Sequence, residues 1–349
     1  MGVDMFRIIA VACLMFAGVT SGCLSGCGQD PTQEEAPPLS GESIRHSLEA
    51  AESYLTSGDE GRARSILSKI IEKAPADGRG YEMMGRLELR RGIELRDMGL
   101  IDSSREQFRD SYRWYEKALP FMADSGGLHQ SAGEVAQLAG LEAEALSLYE
   151  AAIELQPDNP KPSLCAAQLL LKSQPERAEF ILRSVLEEHP DQSHALATLA
   201  LACQSQGQTE VAAEMASRAL ALAGDEVAVR IVIARVHRLS GREREALELL
   251  LALPDDVRGK ESAASEIASC WLAIGQPSNA AEAWAGCFRA NAFRVDAWRY
   301  ALRAAEAMAM ADQEAMAASW LEQAVMLDAP DSELDLTRDR IAKSILFQD

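Results

Sequence analysis

Residues 126–159 read GGLHQSAGEVAQLAGLEAEALSLYEAAIELQPDN, and the pattern of these residues predicts the fold class. Its first half places apolar and small residues at helical spacing, and its second half resumes that spacing after an interruption at Gly140. Gly140 suits a tight turn and Pro157 suits a helix end. The stretch therefore predicts a helix, a tight turn, a second helix and a proline-containing loop.

Small residues repeat along the chain with nearly the same period. Alanines recur after 33, 34, 34 and 34 residues, at Ala145, Ala178, Ala212, Ala246 and Ala280. A glycine series runs in step with them, at Gly140, Gly207, Gly241 and Gly275, with Gln174 in the missing position. Two series at one period are typical of a helical repeat in which each unit stacks on the next.

The unit resembles the tetratricopeptide repeat (TPR) in the residue types at six of its positions. Counted from Gly126, positions 8, 15, 20, 24, 27 and 32 hold Gly133, Gly140, Ala145, Tyr149, Ala152 and Pro157. Small side chains at three of these positions let two antiparallel helices approach closely, and the aromatic ring fills the space between them. The resemblance implies an all-α, right-handed superhelical solenoid of antiparallel helix pairs.

About eight TPR-like units fit into residues 44–330, and residues 331–349 read as a capping helix with Leu334, Leu336 and Ile341 on its apolar side. The spacing from Ala63 to Ala145 is 82 residues, two periods plus 14, which places a 14-residue insertion in the second unit near residues 93–106. A capping box at Ser103 and Glu106 favours two lengthened helices there. A helical hairpin that projects from the solenoid and a tolerated insertion are both compatible with this pattern.

The N-terminus resembles a bacterial lipoprotein signal peptide. Residues 8–19 are apolar, too few to span a bilayer but typical of a secretory signal. They precede LSGC at residues 24–27, which resembles a lipobox and implies cleavage after residue 26 and lipidation of Cys27, with Cys23 as the alternative. Residues 1–26 would then be the signal peptide and residues 27–43 the lipidated cysteine and a disordered, proline-rich tether. Gly28 implies sorting to the outer membrane, facing the periplasm. An ordinary secreted protein with two spare cysteines is the other interpretation.

Composition narrows the class of partner. The chain has 34 basic and 54 acidic residues, a net charge of −20, so it is not expected to bind nucleic acid through phosphate neutralisation. Attraction to anionic lipid is not expected either, so membrane attachment would depend on acyl chains.

The repeats contain four cysteines, Cys165, Cys203, Cys270 and Cys287, and we interpret all four as core residues. A disulfide between Cys270 and Cys287 is the alternative.

The sequence shows no arrangement of residues typical of an enzyme. The histidines lack the spacing of a zinc hydrolase, and no nucleophile elbow, phosphate loop or dinucleotide fingerprint is present. We therefore expect a binding protein without a cofactor or metal.

In TPR proteins the first helix of each repeat lines a concave groove. Transferred onto this chain, the resemblance implies that the groove carries Arg79, Glu82, Arg86, Arg90, Gln130, Glu134, Gln204, Arg235, Arg238, Arg299 and Arg303. A row of guanidinium groups suits carboxylates or main-chain carbonyls of an extended peptide. The alternative is that these arginines pair with glutamates on their own helices.

Three functions fit these features. The first is a lipid-anchored scaffold that binds a partner protein of the bacterial cell envelope, through an extended or acidic segment in the groove, for assembly or export. The second is a lipoprotein that recognises glycan or peptidoglycan. The third is an accessory subunit of an envelope enzyme.

Overall fold

The computed structural model describes residues 40–223 and 225–346, and all regular structure in these two ranges is helical. The α-helices are α1 (Gly41–Ser57), α2 (Glu60–Lys73), α3 (Gly78–Asp97), α4 (Ile101–Ala118), α5 (Gly126–Ala139), α6 (Glu142–Leu155), α7 (Pro160–Leu170), α8 (Pro175–Glu188), α9 (Ser193–Ser205), α10 (Thr209–Leu222), α11 (Val227–Leu239), α12 (Glu243–Leu251), α13 (Asp255–Arg258), α14 (Glu261–Ala273), α15 (Pro277–Ala290), α16 (Trp298–Met310), α17 (Glu314–Met326) and α18 (Asp331–Leu346). A short 3-10 helix, Leu119–Phe121, follows α4.

The described ranges contain eight helix pairs, α1/α2 to α11/α12, then α14/α15 and α16/α17, each packed on the next. Helix α13 is a single turn inside a connection, and α18 packs on α16 and α17. Each pair therefore buries its apolar faces against its neighbours, as a stacked repeat must. The predicted all-α solenoid is confirmed.

Glycines make the turns inside six of the described pairs. Their φ angles lie between +72° and +82°, at Gly58, Gly99, Gly140, Gly207, Gly241 and Gly275. At Gly140, the amide of Gly140 donates to the carbonyl of Gln137 at 3.1 Å and the next amide, of Leu141, donates to Ala136 at 2.9 Å. Glycine adopts this left-handed conformation without the strain a side chain would add, which explains the glycine series in the sequence.

The small residues permit close packing within each pair. Tyr149 of α6 is fully buried, and a Cβ added to Gly133 of α5 would lie 2.7 Å from its ring. Ala145 and Ala152 on α6 are also fully buried. The spacing of small residues in the sequence thus records where two helices meet most closely.

The second pair is longer than the others. Helices α3 and α4 have 20 and 18 residues, whereas the first helices of the later pairs have 11 to 14. The extra turns form the end of a helical hairpin whose tip is Met98–Leu100. The insertion therefore lengthens two helices that remain packed on each other.

Three expectations about individual residues are wrong. The proposed capping box does not cap α4, because that helix already begins at Ile101 and Ser103 lies inside it. The first helix begins at Gly41, capped by the hydroxyl of Ser40, so the last residues of the expected tether are helical. Leu336 of α18 is 45% exposed, whereas Leu334 is buried as expected.

Candidate partner-binding groove

All eleven candidate residues lie on the first helices of their pairs. They are Arg79, Glu82, Arg86 and Arg90 on α3, Gln130 and Glu134 on α5, Gln204 on α9, Arg235 and Arg238 on α11, and Arg299 and Arg303 on α16. Hydrogen bonds and ion pairs join several of them to the first helix of an adjacent pair or to its end. We call this shared surface of the first helices the groove face.

One group on the groove face joins the first two pairs. The guanidinium of Arg86 donates to both carboxylate oxygens of Glu52 on α1, at 2.8 and 2.7 Å. Glu82 lies nearby, and burial raises the pKa of its carboxyl group, partly offset by the charge of Arg86. With both acids ionised, Glu52, Glu82 and Arg86 carry a net charge of −1. We call them the N-terminal cluster.

Two further arginines of α3 are held by local partners. Arg79 donates to the side chain of Asp77, the N-cap of its own helix, at 2.9 and 2.6 Å. That hydrogen bond lowers the pKa of Asp77. Arg90 pairs with Glu94 at 3.3 Å and donates to the carbonyl of Leu55 at the end of α1. Both guanidinium groups are therefore already engaged within the chain.

In the middle of the groove face, amide side chains and one lysine–glutamate ion pair make the contacts between repeats. The amide of Asn159 donates to Gln130 at 3.0 Å, and Lys161 pairs with Glu134 at 2.7 Å, which ties α7 to α5. Gln204 donates to the carbonyl of Leu239 at 3.1 Å, which ties α9 to the end of α11. These candidate residues thus connect successive repeats.

A second group joins α11 to α14 with the opposite balance of charge. Arg235 donates to one carboxylate oxygen of Glu266 at 2.6 Å and Arg238 donates to the other at 3.0 Å. Only 7% of the Glu266 side chain is exposed, whereas 42% of Arg235 and 25% of Arg238 are. Arg235, Arg238 and Glu266 carry a net charge of +1, and we call them the C-terminal cluster.

The last two candidate arginines, on α16, also have acidic partners. Arg303 and Arg340 of α18 both contact Glu306, at 3.1 and 2.9 Å. Arg299 lies 3.7 Å from Asp296, which also binds Arg294 through contacts of 2.8 and 3.0 Å. Each of the seven candidate arginines is thus in an ion pair within this chain.

Sequence reasoning missed the carboxylates that connect one pair to the next. Pairing on the same helix accounts for Arg90 and Arg303, whereas Arg86, Arg235 and Arg238 reach acids of a neighbouring pair. Glu52 precedes Arg86 by 34 residues, one period, so the sequence did contain a signal for that contact. Glu266 had no comparable signal, because it lies at none of the positions the resemblance assigns to the groove.

Comparison with known proteins identifies the repeat. Residues 138–202 match the family described as tetratricopeptide repeat. This stretch is therefore similar in sequence to tetratricopeptide repeats. No curated protein sequence matches it as a whole or in part.

One solved tetratricopeptide repeat structure shares the fold, and two further solved structures are similar to parts of the chain. A tetratricopeptide repeat protein from Parabacteroides merdae is 16% identical, over 72% of this chain and 94% of that one, with a TM-score of 0.57. PilF of Pseudomonas aeruginosa is 14% identical, over 64% of this chain and 96% of its own, with a TM-score of 0.47. PilW, a widely conserved type IV pilus biogenesis factor, is 16% identical over 65% and 99%, also at 0.47. At these identities the likeness concerns the fold alone.

The other side chains of the repeats that could react or bind a metal are buried or far from one another. Cys165, Cys203, Cys270 and Cys287 are free thiols, so the open alternative of a Cys270–Cys287 disulfide is not adopted. Burial raises the pKa of Cys203 and Cys270 to about 11 and that of Cys287 to about 12, which suppresses the reactive thiolate. Among the described residues, no group of three or more His, Cys, Asp or Glu side chains is placed to hold a metal ion.

None of the described helices combines the length and the apolar character that a membrane-spanning helix needs. Cys23 and Cys27, the two candidates for lipidation, lie outside the described residues.

Proposed function

We propose that this protein is a lipid-anchored TPR scaffold of the bacterial cell envelope that holds an extended, acidic segment of a partner protein along its groove face. The support for the anchor lies in the sequence, where a short apolar run is followed by LSGC at residues 24–27. The support for a protein partner is the fold, since TPR solenoids present long concave surfaces to other chains.

The C-terminal cluster is the observation that carries the choice of an acidic segment. Two guanidinium groups share one buried carboxylate, so a positive charge remains on the groove face of a chain whose net charge is −20. Arg235 keeps two-fifths of its side chain exposed. Because a guanidinium has five N–H donors in a planar fork, it can bind a second carboxylate while it still holds Glu266.

Substituting Arg235 tests this choice without leaving Glu266 unpaired, because Arg238 remains on that carboxylate. A fluorescein-labelled oligoglutamate peptide serves as the probe, and fluorescence anisotropy with the full chain measures its affinity. We expect Arg235→Gln to weaken binding by up to about five-fold, the scale of one exposed charge contact of roughly 0.2–1 kcal/mol. The matched control is Arg244→Gln, which removes an exposed arginine from α12, the second helix of the same pair.

Two outcomes would reject the proposed groove specificity. One is equal weakening by Arg235→Gln and Arg244→Gln, which would mean that the peptide responds only to overall charge. The other is an equal or higher affinity for an oligolysine peptide.

The anchor has an independent test. Intact-mass analysis of the membrane fraction should show a mature chain that begins at a diacylglyceryl-modified Cys27. Cys27→Ser should abolish lipidation and Cys23→Ser should leave it unchanged. The opposite result would move the site to Cys23, and an unmodified mature chain would reject the anchor.

A further inference from the structure

The hairpin α3/α4 walls in one end of the groove face. Its tip reaches the connection between α15 and α16, where the amide of Val295 donates to the carbonyl of Met98 at 2.9 Å. A Cβ added to Gly99 at the tip would lie 2.9 Å from the backbone nitrogen of Asp296. The tip thereby becomes one wall of a cavity of about 800 Å³, and α14, α16 and α18 supply most of the other walls. A cavity of this size is typical of a small-molecule site.

The charges around this cavity balance one another. Five carboxylates and three guanidinium groups line it. Two of these carboxylates also contact arginines outside the lining. Asp296 is paired with Arg294 at 2.8 Å, and Asp102 with Arg105 at 3.6 Å. Five guanidinium groups thus offset five carboxylates. A ligand with a net charge of either sign would disturb this balance, so the lining favours a neutral ligand.

The arginines of the lining keep donors for a ligand. Arg303 and Arg340 each contact Glu306 through a single nitrogen, at 3.1 and 2.9 Å, and about half of each arginine side chain is exposed. A guanidinium has five N–H donors. Both groups can therefore donate hydrogen bonds to a ligand while they still hold Glu306.

Acceptors lie in the same cavity. Glu261 receives a hydrogen bond from the hydroxyl of Tyr300 at 3.1 Å, and among residues 40–223 and 225–346 neither Glu261 nor Glu333 is in an ion pair. The hydroxyls of Ser265 and Ser269 donate to main-chain carbonyls of α14 and keep their lone pairs. A ligand that both donates and accepts hydrogen bonds therefore finds partners for both.

Aromatic rings supply much of the apolar lining. Trp284 of α15 lies nearly parallel to Tyr300, with ring centroids 6.5 Å apart and an angle of 14° between the rings. Trp298 also lines the cavity, and both tryptophans are partly exposed. An indole ring combines a flat apolar face with one polar N–H group, which suits a ligand that is itself partly apolar.

We propose that this cavity binds a neutral oligosaccharide. A sugar of this class has no net charge, its hydroxyls both donate and accept hydrogen bonds, and its C–H faces pack on aromatic rings. These properties match the balanced charge, the mixed donors and acceptors and the tryptophans of the lining. The site adds a second class of ligand to the acidic segment of the proposed function and does not depend on it, because Arg235, Arg238 and Glu266 do not line the cavity.

Saturation-transfer difference NMR of the full chain with chitotetraose and with maltotetraose tests for the site. We expect transfer to the ring protons of at least one tetrasaccharide, because its C–H faces contact the tryptophans. Ser269→Phe places a ring in the cavity and should abolish this transfer, and circular dichroism checks that the variant is folded. Absence of transfer with both sugars, or undiminished transfer in the folded variant, would overturn the proposal.

A milder change tests the acceptors. Glu261→Gln combined with Glu333→Gln replaces two charged acceptors by neutral ones and should weaken binding of the tetrasaccharide by about ten-fold or more in isothermal titration calorimetry. The matched control is Glu214→Gln combined with Glu248→Gln, which removes the same charge from exposed positions on α10 and α12. The control should leave the affinity unchanged. Equal affinities in the two double variants would overturn the assignment of the sugar to this cavity.

Charged analogues test the neutrality of the ligand. De-N-acetylated chitotetraose is a polycation and tetragalacturonate is a polyanion, and both resemble the neutral tetrasaccharides in size. We expect each of them to bind at least several-fold more weakly than the better neutral sugar. Tighter binding of either one would overturn the proposal, because it would show a site for a cation or for an anion. Oligoglutamate binding at the C-terminal cluster is decided separately by Arg235→Gln.

Discussion

The N-terminal and C-terminal clusters use the same residue types in opposite proportion. In the first, one arginine lies among two carboxylates, and in the second, one carboxylate lies between two arginines. The first is half exposed at Arg86 and Glu52, whereas the second is built on the nearly inaccessible Glu266. Arginines at equivalent groove positions therefore contribute to clusters of different net charge. The number of arginines in the sequence alone overstates the positive charge that the groove face presents to a partner.

The largest expected difference between the clusters is in stability. Glu266→Gln leaves two guanidinium groups beside a neutral side chain in a mostly buried site, and we expect it to lower the free energy of unfolding by roughly 2–3 kcal/mol. Glu52→Gln removes the same charge from an exposed pair and should cost under about 1 kcal/mol. Chemical denaturation of the full chain, followed by circular dichroism, measures both. Similar losses in the two variants would contradict the contrast in burial.

A smaller effect concerns pH. Burial raises the folded-state pKa of Glu82 above the ordinary pKa of a glutamate, so the folded chain binds this proton more tightly than the unfolded chain does. Its contribution to stability is therefore fully present below the unfolded pKa and is lost as pH rises through the folded pKa.

We expect Glu82→Gln to remove this part of the pH dependence and to leave the variant at least as stable as the unsubstituted chain at pH 7. Denaturation midpoints measured from pH 4 to pH 7 test the sign. A variant that is less stable at pH 7 would show that the Glu82 carboxylate forms a stabilising contact.

The smallest effect is a gain of binding. The combined change Glu52→Gln and Glu82→Gln converts the N-terminal cluster from a net charge of −1 to +1, the balance found at the C-terminal cluster. It should create a second, weak site for the oligoglutamate peptide, within the roughly 0.2–1 kcal/mol of an exposed charge contact. The stoichiometry from isothermal titration calorimetry checks this gain. An unchanged stoichiometry would mean that local charge balance does not decide where an acidic chain binds.

The sequence predicted the fold because each repeated residue answers a local geometric demand. Gly133 leaves room for Tyr149, and Gly140 adopts a positive φ at its turn. Such demands recur in most of the units, so a period in the sequence reveals them. The cap expected at Ser103 was wrong, because the turn at Gly99 is followed directly by α4, which already begins at Ile101.

The site was less accessible to sequence reasoning. The resemblance placed the arginines on the groove face, but their charge depends on which carboxylates reach them from other helices. Arg238 and Glu266 are 28 residues apart, and only the stacking of α14 on α11 brings them together. The contact of Gly99 with Asp296 was still harder to predict from the sequence, because it depends on how several successive repeats stack.

Photo-crosslinking shows where on the groove face an acidic chain binds. An oligoglutamate peptide that carries a benzophenone group is irradiated with the full chain, and the adducts are mapped by peptide mass analysis. We expect adducts on α11 and α14, around the C-terminal cluster, and we expect Arg235→Gln to lose them. Adducts concentrated on α1 and α3, or spread over the second helices of the pairs, would contradict it.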